Sequence, residues 1–241
     1  MARLPRLYAP DIPQLALASF AQPLAHPADP APAAQLDKLA EWLREVVQEQ
    51  RASVHGWVLL NDRLALLATP AAHDSVARLI QALGRRYASR LQHGRVFAGR
   101  YRSALLQPGQ WVLPALLWLD YLPVQAGYID QPQAWPWSSA AHHTGVGADP
   151  AAWLTDHPDY WVNGNTPFER QANYRRLLAQ GLPPAQQQRL EDALFGQWAL
   201  GDPAFLANLS ASASRRVAPA PRGRPKKKEE EKEMGAPTLR R

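Results

Sequence analysis

Ser53 to Leu60 and Arg63 to Thr69 are two apolar runs separated only by Asn61-Asp62. Asn and Asp accept the backbone angles of tight turns, so the pair reads as a β-hairpin. A two-stranded hairpin is barely stable alone in water, so the rest of the chain must cover it. Upstream, Leu15 to Phe20 (LALASF) reads as a buried strand and Gln22 to Pro32 as a Pro/Ala-rich loop. From Ala33, Leu36, Leu39, Leu43, Val46 and Val47 recur at helical spacing, with Glu41, Glu45 and Glu49 on another face. That pattern predicts an amphipathic helix ending near Arg51. Asp74 stands as the N-cap of a second helix whose inner face is Val76, Leu79, Ile80 and Leu83. Arg100 to Gln107 alternates as a strand, and Trp111 to Leu122 reads as an apolar helix closing on Pro123. Strand, helix, hairpin, helix, strand, helix is the order of an α+β, ferredoxin-like fold: a four-stranded antiparallel sheet with helices on one face.

Further on, Trp135 and Trp137 in QPQAWPWSSAAHHTG read as packing over a sheet edge or a helix, and His142-His143 as surface in a loop-like stretch. Phe168 to Gln180 and Pro184 to Trp198 read as C-terminal helices, the second with Leu190, Leu194 and Trp198 on one face. From Ala211, Ser, Ala, Pro and charges take over, which predicts a disordered basic tail. The expected organisation is residues 1–145 as the α+β domain, 146–210 as a helical extension and 211–241 as the tail.

Several function classes fall away on composition. The chain has no cysteine, hence no disulfide framework, thiolate metal site or Cys nucleophile. It has no Gly-rich phosphate loop, no Gly-x-Ser-x-Gly elbow and no His/Glu metal helix. No run of 18 apolar residues occurs, and prolines interrupt MARLPRLYAPDIPQ, so neither a membrane partner nor a secretory leader is expected and the expected location is the cytoplasm. The net charge of +6 is uneven: residues 215–241 carry 10 of the 27 basic residues against 4 of the 21 acids, which leaves residues 1–214 neutral.

On the body, the local charge is what counts. Between Asp74 and Asp120 no acid occurs, while Arg85, Arg86, Arg90, Arg95, Arg100 and Arg102 are interleaved with Tyr87, His93, Phe97 and Tyr101. Guanidinium forks match phosphates and stack on flat rings, so Arg and aromatics without a neutralising carboxylate suit a nucleic-acid backbone. A solvated helix face followed by a core helix is the structural alternative. In the tail, Arg222-Gly223-Arg224-Pro225 followed by Lys226 and Lys227 can enter a narrow A·T-rich minor groove or simply solubilise the chain.

Together these pieces resemble the bacterial REP-associated tyrosine transposases, relatives of the IS200-like transposases. The resemblance runs in order through MARLPRLYAPDIPQ, HGWVLLNDRLALLATP, LGRRYASRLQHGRVFAGRYRSALL, DYLPVQAGYIDQPQAWPWSSAAHH, HPDYW, GQWALGD and RGRPKKK. It implies a protein that binds single-stranded or hairpin DNA. It further implies cleavage by a tyrosine nucleophile, with Mg²⁺ or Mn²⁺ held by a His-hydrophobic-His pair on one strand face.

The chain departs from that pattern at the chemistry. Arg63 and Ala65 stand at the two metal-ligand positions, and neither a guanidinium nor a methyl group ligates a divalent cation. Trp118 stands at the nucleophile position. Tyr121, three residues on, would project about 60° away and about 4.5 Å along the helix axis, which makes it a poor substitute. Tyr101 is the other tyrosine near enough to weigh. His55 reads as packing or hydrogen bonding. The expectation is therefore a DNA-binding, transposase-like pseudoenzyme without a cofactor, nucleoid-associated through its DNA. DNA contacts are expected at Arg85, Arg86, Arg90, Arg95, Arg100, Tyr101, Arg102, Arg222, Arg224, Lys226 and Lys227. An active transposase using Tyr121, and a remnant acting by protein contact, stay open, as do monomer and homodimer.

Overall fold

The computed structural model describes residues 5–24, 33–50, 52–89, 94–146 and 153–220. Strands β1 (Gln14–Ser19), β2 (Ser53–Leu59), β3 (Arg63–Thr69) and β4 (Arg102–Leu106) lie in the order β2-β3-β1-β4. Each neighbouring pair is antiparallel. Helices α1 (Ala33–Gln50) and α2 (Ser75–Ala88) are the two crossovers. This is the ferredoxin-like sandwich that the pattern predicts. A fifth strand, β5 (Ala199–Leu200), adds in parallel beside β4.

Both faces of the sheet are covered. In β1 the residues Gln14 to Ala18 are all buried, so the strand reads as a continuous apolar run rather than an alternation. On one face, Trp57 of β2 shares a small cavity with Asp37, Ala40 and Arg44 of α1, and α2 lies beside α1. On the other face, Gly56 faces helix α3 (Val112–Gln125) so closely that an added Cβ would stand 2.7 Å from Leu116. Helices α4 (Ala140–Thr144), α5 (Pro158–Trp161), α6 (Pro167–Gln180) and α7 (Pro184–Gly196) follow, then α8 (Pro203–Ser212). Leu190 and Leu194 of α7 and Tyr174 of α6 join the same core as the sheet. The one-face expectation thus holds for α1 and α2, while α3, with α6 and α7 packed on it, covers the second face.

A buried polar cluster joins these elements. Asp120 of α3 is fully buried and accepts from Ser139 Oγ at 2.7 Å and Tyr174 OH at 2.7 Å. Its Oδ2 also lies 2.6 Å from His143 Nδ1. Ser139 in turn accepts from the Trp57 backbone N–H at 3.0 Å, and His143 Nε2 lies 2.9 Å from the His55 carbonyl. Tyr160 of α5 donates to the His143 carbonyl at 2.8 Å. Burial and the Asp120 charge hold the Tyr174 hydroxyl well above its ordinary pKa, so it stays a donor.

Several local expectations are corrected. Asp74 sits at the N-cap of α2 but its side chain makes no capping bond; it pairs with Arg78, one turn on, at 2.9 Å. Helix α3 continues past Pro123 to Gln125, since a missing N–H in the last turn breaks little of the ladder. His142 and His143 lie on α4, with His143 buried and His142 half-buried against Asp156 at 2.9 Å. Trp135 and Trp137 do pack: the segment bridges to β2 at Ser138–Val58, and the indole of Trp135 donates to the Leu59 carbonyl at 2.9 Å. The stretch from Ala211 to Ala220 is packed and not a free tail, because Val217 is buried beside Leu7, Leu105 and Leu209, and its carbonyl accepts from Ala199; residues 221–241 of the expected tail lie outside the described residues.

Two stability effects follow. Asp120→Ala strips the acceptor from three buried donors and is expected to cost about 3–5 kcal/mol, read by chemical denaturation. His55 is pushed down to about 4, first by burial. Its Nδ1 donates to the Thr155 carbonyl at 2.7 Å and its Nε2 faces the Thr69 hydroxyl at 2.8 Å, bonds suited to a neutral ring. The folded state resists protonation that the unfolded chain accepts near pH 6.5, so stability is full above that value and falls toward pH 4. The Tm is expected to drop across that window, less steeply in His55→Gln.

Candidate nucleic-acid interface

Three adjoining hollows run along the β4 side of the molecule. The first, about 470 Å³, is lined by Phe20, Tyr87, Arg95 and Ala98 among others. The second, about 540 Å³, shares Arg95 and Ala98 and adds Arg6, Phe97, Arg100 and Tyr101. The third, about 390 Å³, shares Arg100 and adds Arg102, Gln197, Trp198 and Arg215. Among the described residues no carboxylate lines any of them. Field lines from several guanidiniums in a trough without acids attract polyanions.

Arg6, Arg102 and Arg215 are each placed by a main-chain carbonyl and an aromatic ring. Arg6 stacks on Tyr101 at 3.5 Å and donates to the Tyr101 carbonyl at 3.3 Å, while its buried Nε has no hydrogen-bond partner. Burial lowers the Arg6 pKa, and Arg100 lowers it further by like-charge repulsion. Arg102 donates to the Phe195 carbonyl at 2.7 Å and lies over the Phe195 ring at 5.7 Å. Arg215 donates to the carbonyls of Pro5 at 2.7 Å, Arg216 at 3.1 Å and Gln197, and lies over Trp198 at 5.4 Å. Gln197 takes φ 60 and ends α7, which turns Trp198 off the helix and over Gly196, where any side chain would collide with the indole. Trp198 therefore belongs to the trough and not to the helical face expected for it.

The Arg run is only partly assembled here. Arg95, Arg100 and Arg102 are brought together. Arg85 is exposed on α2 and lines none of the three hollows. Arg86 is spent elsewhere, pairing with Glu45 at 2.5 Å and Glu49 at 2.6 Å across α1 and α2. Tyr101 is buried under Arg6 and serves as its platform, closed to a stacked base. Arg90, Arg222, Arg224, Lys226 and Lys227 lie outside the described residues. Sequence reading missed Arg6 and Arg215 as members of this basic surface. Arg6 sits in an N-terminal segment far from the run, and Arg215 stands among charges assigned to the tail.

The four positions singled out by departure from the transposase pattern are not gathered into one cleft. Arg63 is paired to Asp62 through both its Nε, at 2.8 Å, and its terminal nitrogen, at 2.5 Å. Ala65 is wholly buried in the sheet. Trp118 is buried and donates its indole N–H to Glu191 of α7 at 3.1 Å. Tyr121 lines a cavity of about 220 Å³ with Trp118, Gln125 and Leu182, and neither Arg63 nor Ala65 reaches it. The divalent cation that the resemblance implies does not fit these side chains. Among the described residues no group of three or more His, Asp or Glu is placed to hold a metal. Ser139, His143 and Asp120 have the residue types of a nucleophilic triad, but Ser139 bonds the carboxylate and not the imidazole, and all three are buried.

A solved structure of a REP-associated tyrosine transposase bound to a REP hairpin is similar to this chain, with a TM-score of 0.49 and 16% identity over 65% of this chain and 93% of that one. No protein-family model and no curated protein matches. Among the described residues no helix is long and apolar enough to cross a membrane.

The trough and the α1–α2 clasp make opposite predictions. Arg102→Ala is expected to elute from heparin at clearly lower salt than the parent protein. Arg86→Ala should elute unchanged while losing under about 1 kcal/mol of stability, the usual worth of exposed pairs.

Proposed function

We propose that the protein binds single-stranded or hairpin DNA along the arginine trough beside β4 and does not cut it. The observation that carries this reading is the convergence of Arg6, Arg95, Arg100, Arg102 and Arg215 on hollows that no carboxylate among the described residues lines. Phe97 and Trp198 supply flat rings at the same surface. Guanidiniums beside aromatic faces hold a strand by its phosphates and bases without reading every base edge. The basic segment after residue 220 adds a second, sequence-tolerant contact. Order and spacing of the quoted motifs favour a transposase-like origin.

Absence of cleavage rests on the chain's own side chains. A guanidinium locked to Asp62, a core methyl and a buried indole offer neither a cation site nor an attacking oxygen. Tyr121 keeps a phenol at a cavity, yet among the described residues no imidazole or carboxylate lines that cavity to take its proton.

The test is one hairpin oligonucleotide followed by fluorescence anisotropy over a salt series, then by a cleavage assay in Mg²⁺ and Mn²⁺. Five phosphate-facing arginines on a single strand give a slope of log K against log salt near −3.5, at about −0.7 per contact. Arg100→Ala should flatten the slope by roughly one contact. No covalent 5′-phosphotyrosine adduct should form; an adduct abolished by Tyr121→Phe refutes the non-cleaving reading, and salt-independent binding refutes the trough.

A further inference from the structure

Resting on that reading, we infer that the third hollow is a receptor for a terminal phosphate monoester at the end of a nucleic-acid strand. An internal phosphodiester carries one charge, and successive diesters spread their charges along a groove. Here Arg100, Arg102 and Arg215 line a single hollow of about 390 Å³, and among the described residues no carboxylate joins them. Three cations at one spot suit a dianion with three free oxygens better than a diester with two.

The construction supports this assignment. Arg215 and Arg102 are fixed by donation to main-chain carbonyls, those of Pro5 and Gln197 for Arg215 and that of Phe195 for Arg102. Carbonyls orient a guanidinium without cancelling its charge, so the cations stand ready before a ligand arrives. Burial lowers the Arg215 pKa, the mark of a cation held partly out of water. Trp198 borders the same hollow, where its ring can stack on the terminal base. Arg100 also lines the neighbouring hollow with Arg6 and Phe97, so a strand whose end is seated here continues into the trough. The receptor draws on four distant parts of the chain: Pro5, the stretch from Arg100 into β4, the turn after α7, and Arg215 beyond α8.

The experiment uses the full chain and one oligonucleotide in three forms: 5′-phosphorylated, 3′-phosphorylated, and hydroxyl-ended. One phosphorylated form should bind about tenfold or more tightly than the hydroxyl-ended strand, as a charge-assisted contact to a dianion predicts. Which arm shows the gain identifies the end. The gain should shrink as pH falls below about 6, where the monoester loses its second charge. Arg102→Gln should remove the gain; its circular dichroism and Tm, compared with those of the parent, separate loss of the receptor from loss of folding. Titration with inorganic pyrophosphate by calorimetry gives a reading free of the strand: binding lost in Arg102→Gln supports the receptor even where no oligonucleotide binds, an outcome that would sink the DNA reading alone. Equal affinity for all three ends, or no heat with pyrophosphate, overturns the receptor while leaving strand binding along the trough untouched.

Discussion

Burying an unpaired carboxylate costs several kcal/mol, and Asp120 is buried completely. It is tolerated because three donors from separate elements, Ser139, His143 and Tyr174, converge on its two oxygens. Ser139 also ties to the backbone of β2 at Trp57, and both ring nitrogens of His143 face oxygen atoms. Removing any member therefore leaves another buried group unsatisfied, and α3, α4, α6 and β2 hold one arrangement. The rotation of α3 follows. Leu116 and Asp120, one turn apart, face β2 and the polar cluster. Trp118 lies about 200° around the helix from Leu116. It must face away from that contact, and it meets Glu191 of α7. Trp118 is thus locked by the same constraint that closes the core.

Much of the sandwich was legible because its signals are local. The Asn61-Asp62 break and the leucine spacing of α1 depend only on neighbours in sequence, and β3 and α1 begin and end where those signals put them, within a residue. What escaped depends on partners far along the chain. β5 is two residues long and exists because Gln107 N–H finds the Leu200 carbonyl at 2.9 Å. The ordered stretch after Ala211 reads as a polar tail until Val217 meets Leu7 and Leu105. His142-His143 reads as surface because nothing nearby announces Asp120, 23 residues upstream of His143.

The candidate site shows the same division. A run without acids was visible between Asp74 and Asp120, yet Glu45 and Glu49 arrive on α1 to neutralise Arg86. Conversely, Arg6 and Arg215 join Arg100 and Arg102 from opposite ends of the chain. Charge balance along a sequence measures local composition, whereas a phosphate responds to charge balance within about a Debye length in space.

That distinction also explains how the trough stays charged. A carboxylate partner would fix an arginine and cancel its field; a carbonyl fixes it and cancels little. Arg102 and Arg215 use carbonyls, and Arg6 uses a carbonyl and the face of Tyr101. The cost is visible at Arg6 and Arg215, whose pKa values burial pulls down, and at Arg6 again through repulsion from Arg100. Like charges held close together store unfavourable energy that an arriving anion relieves. A looser scaffold would let the arginines drift apart, and with them the difference in charge density that separates one polyanion contact from another.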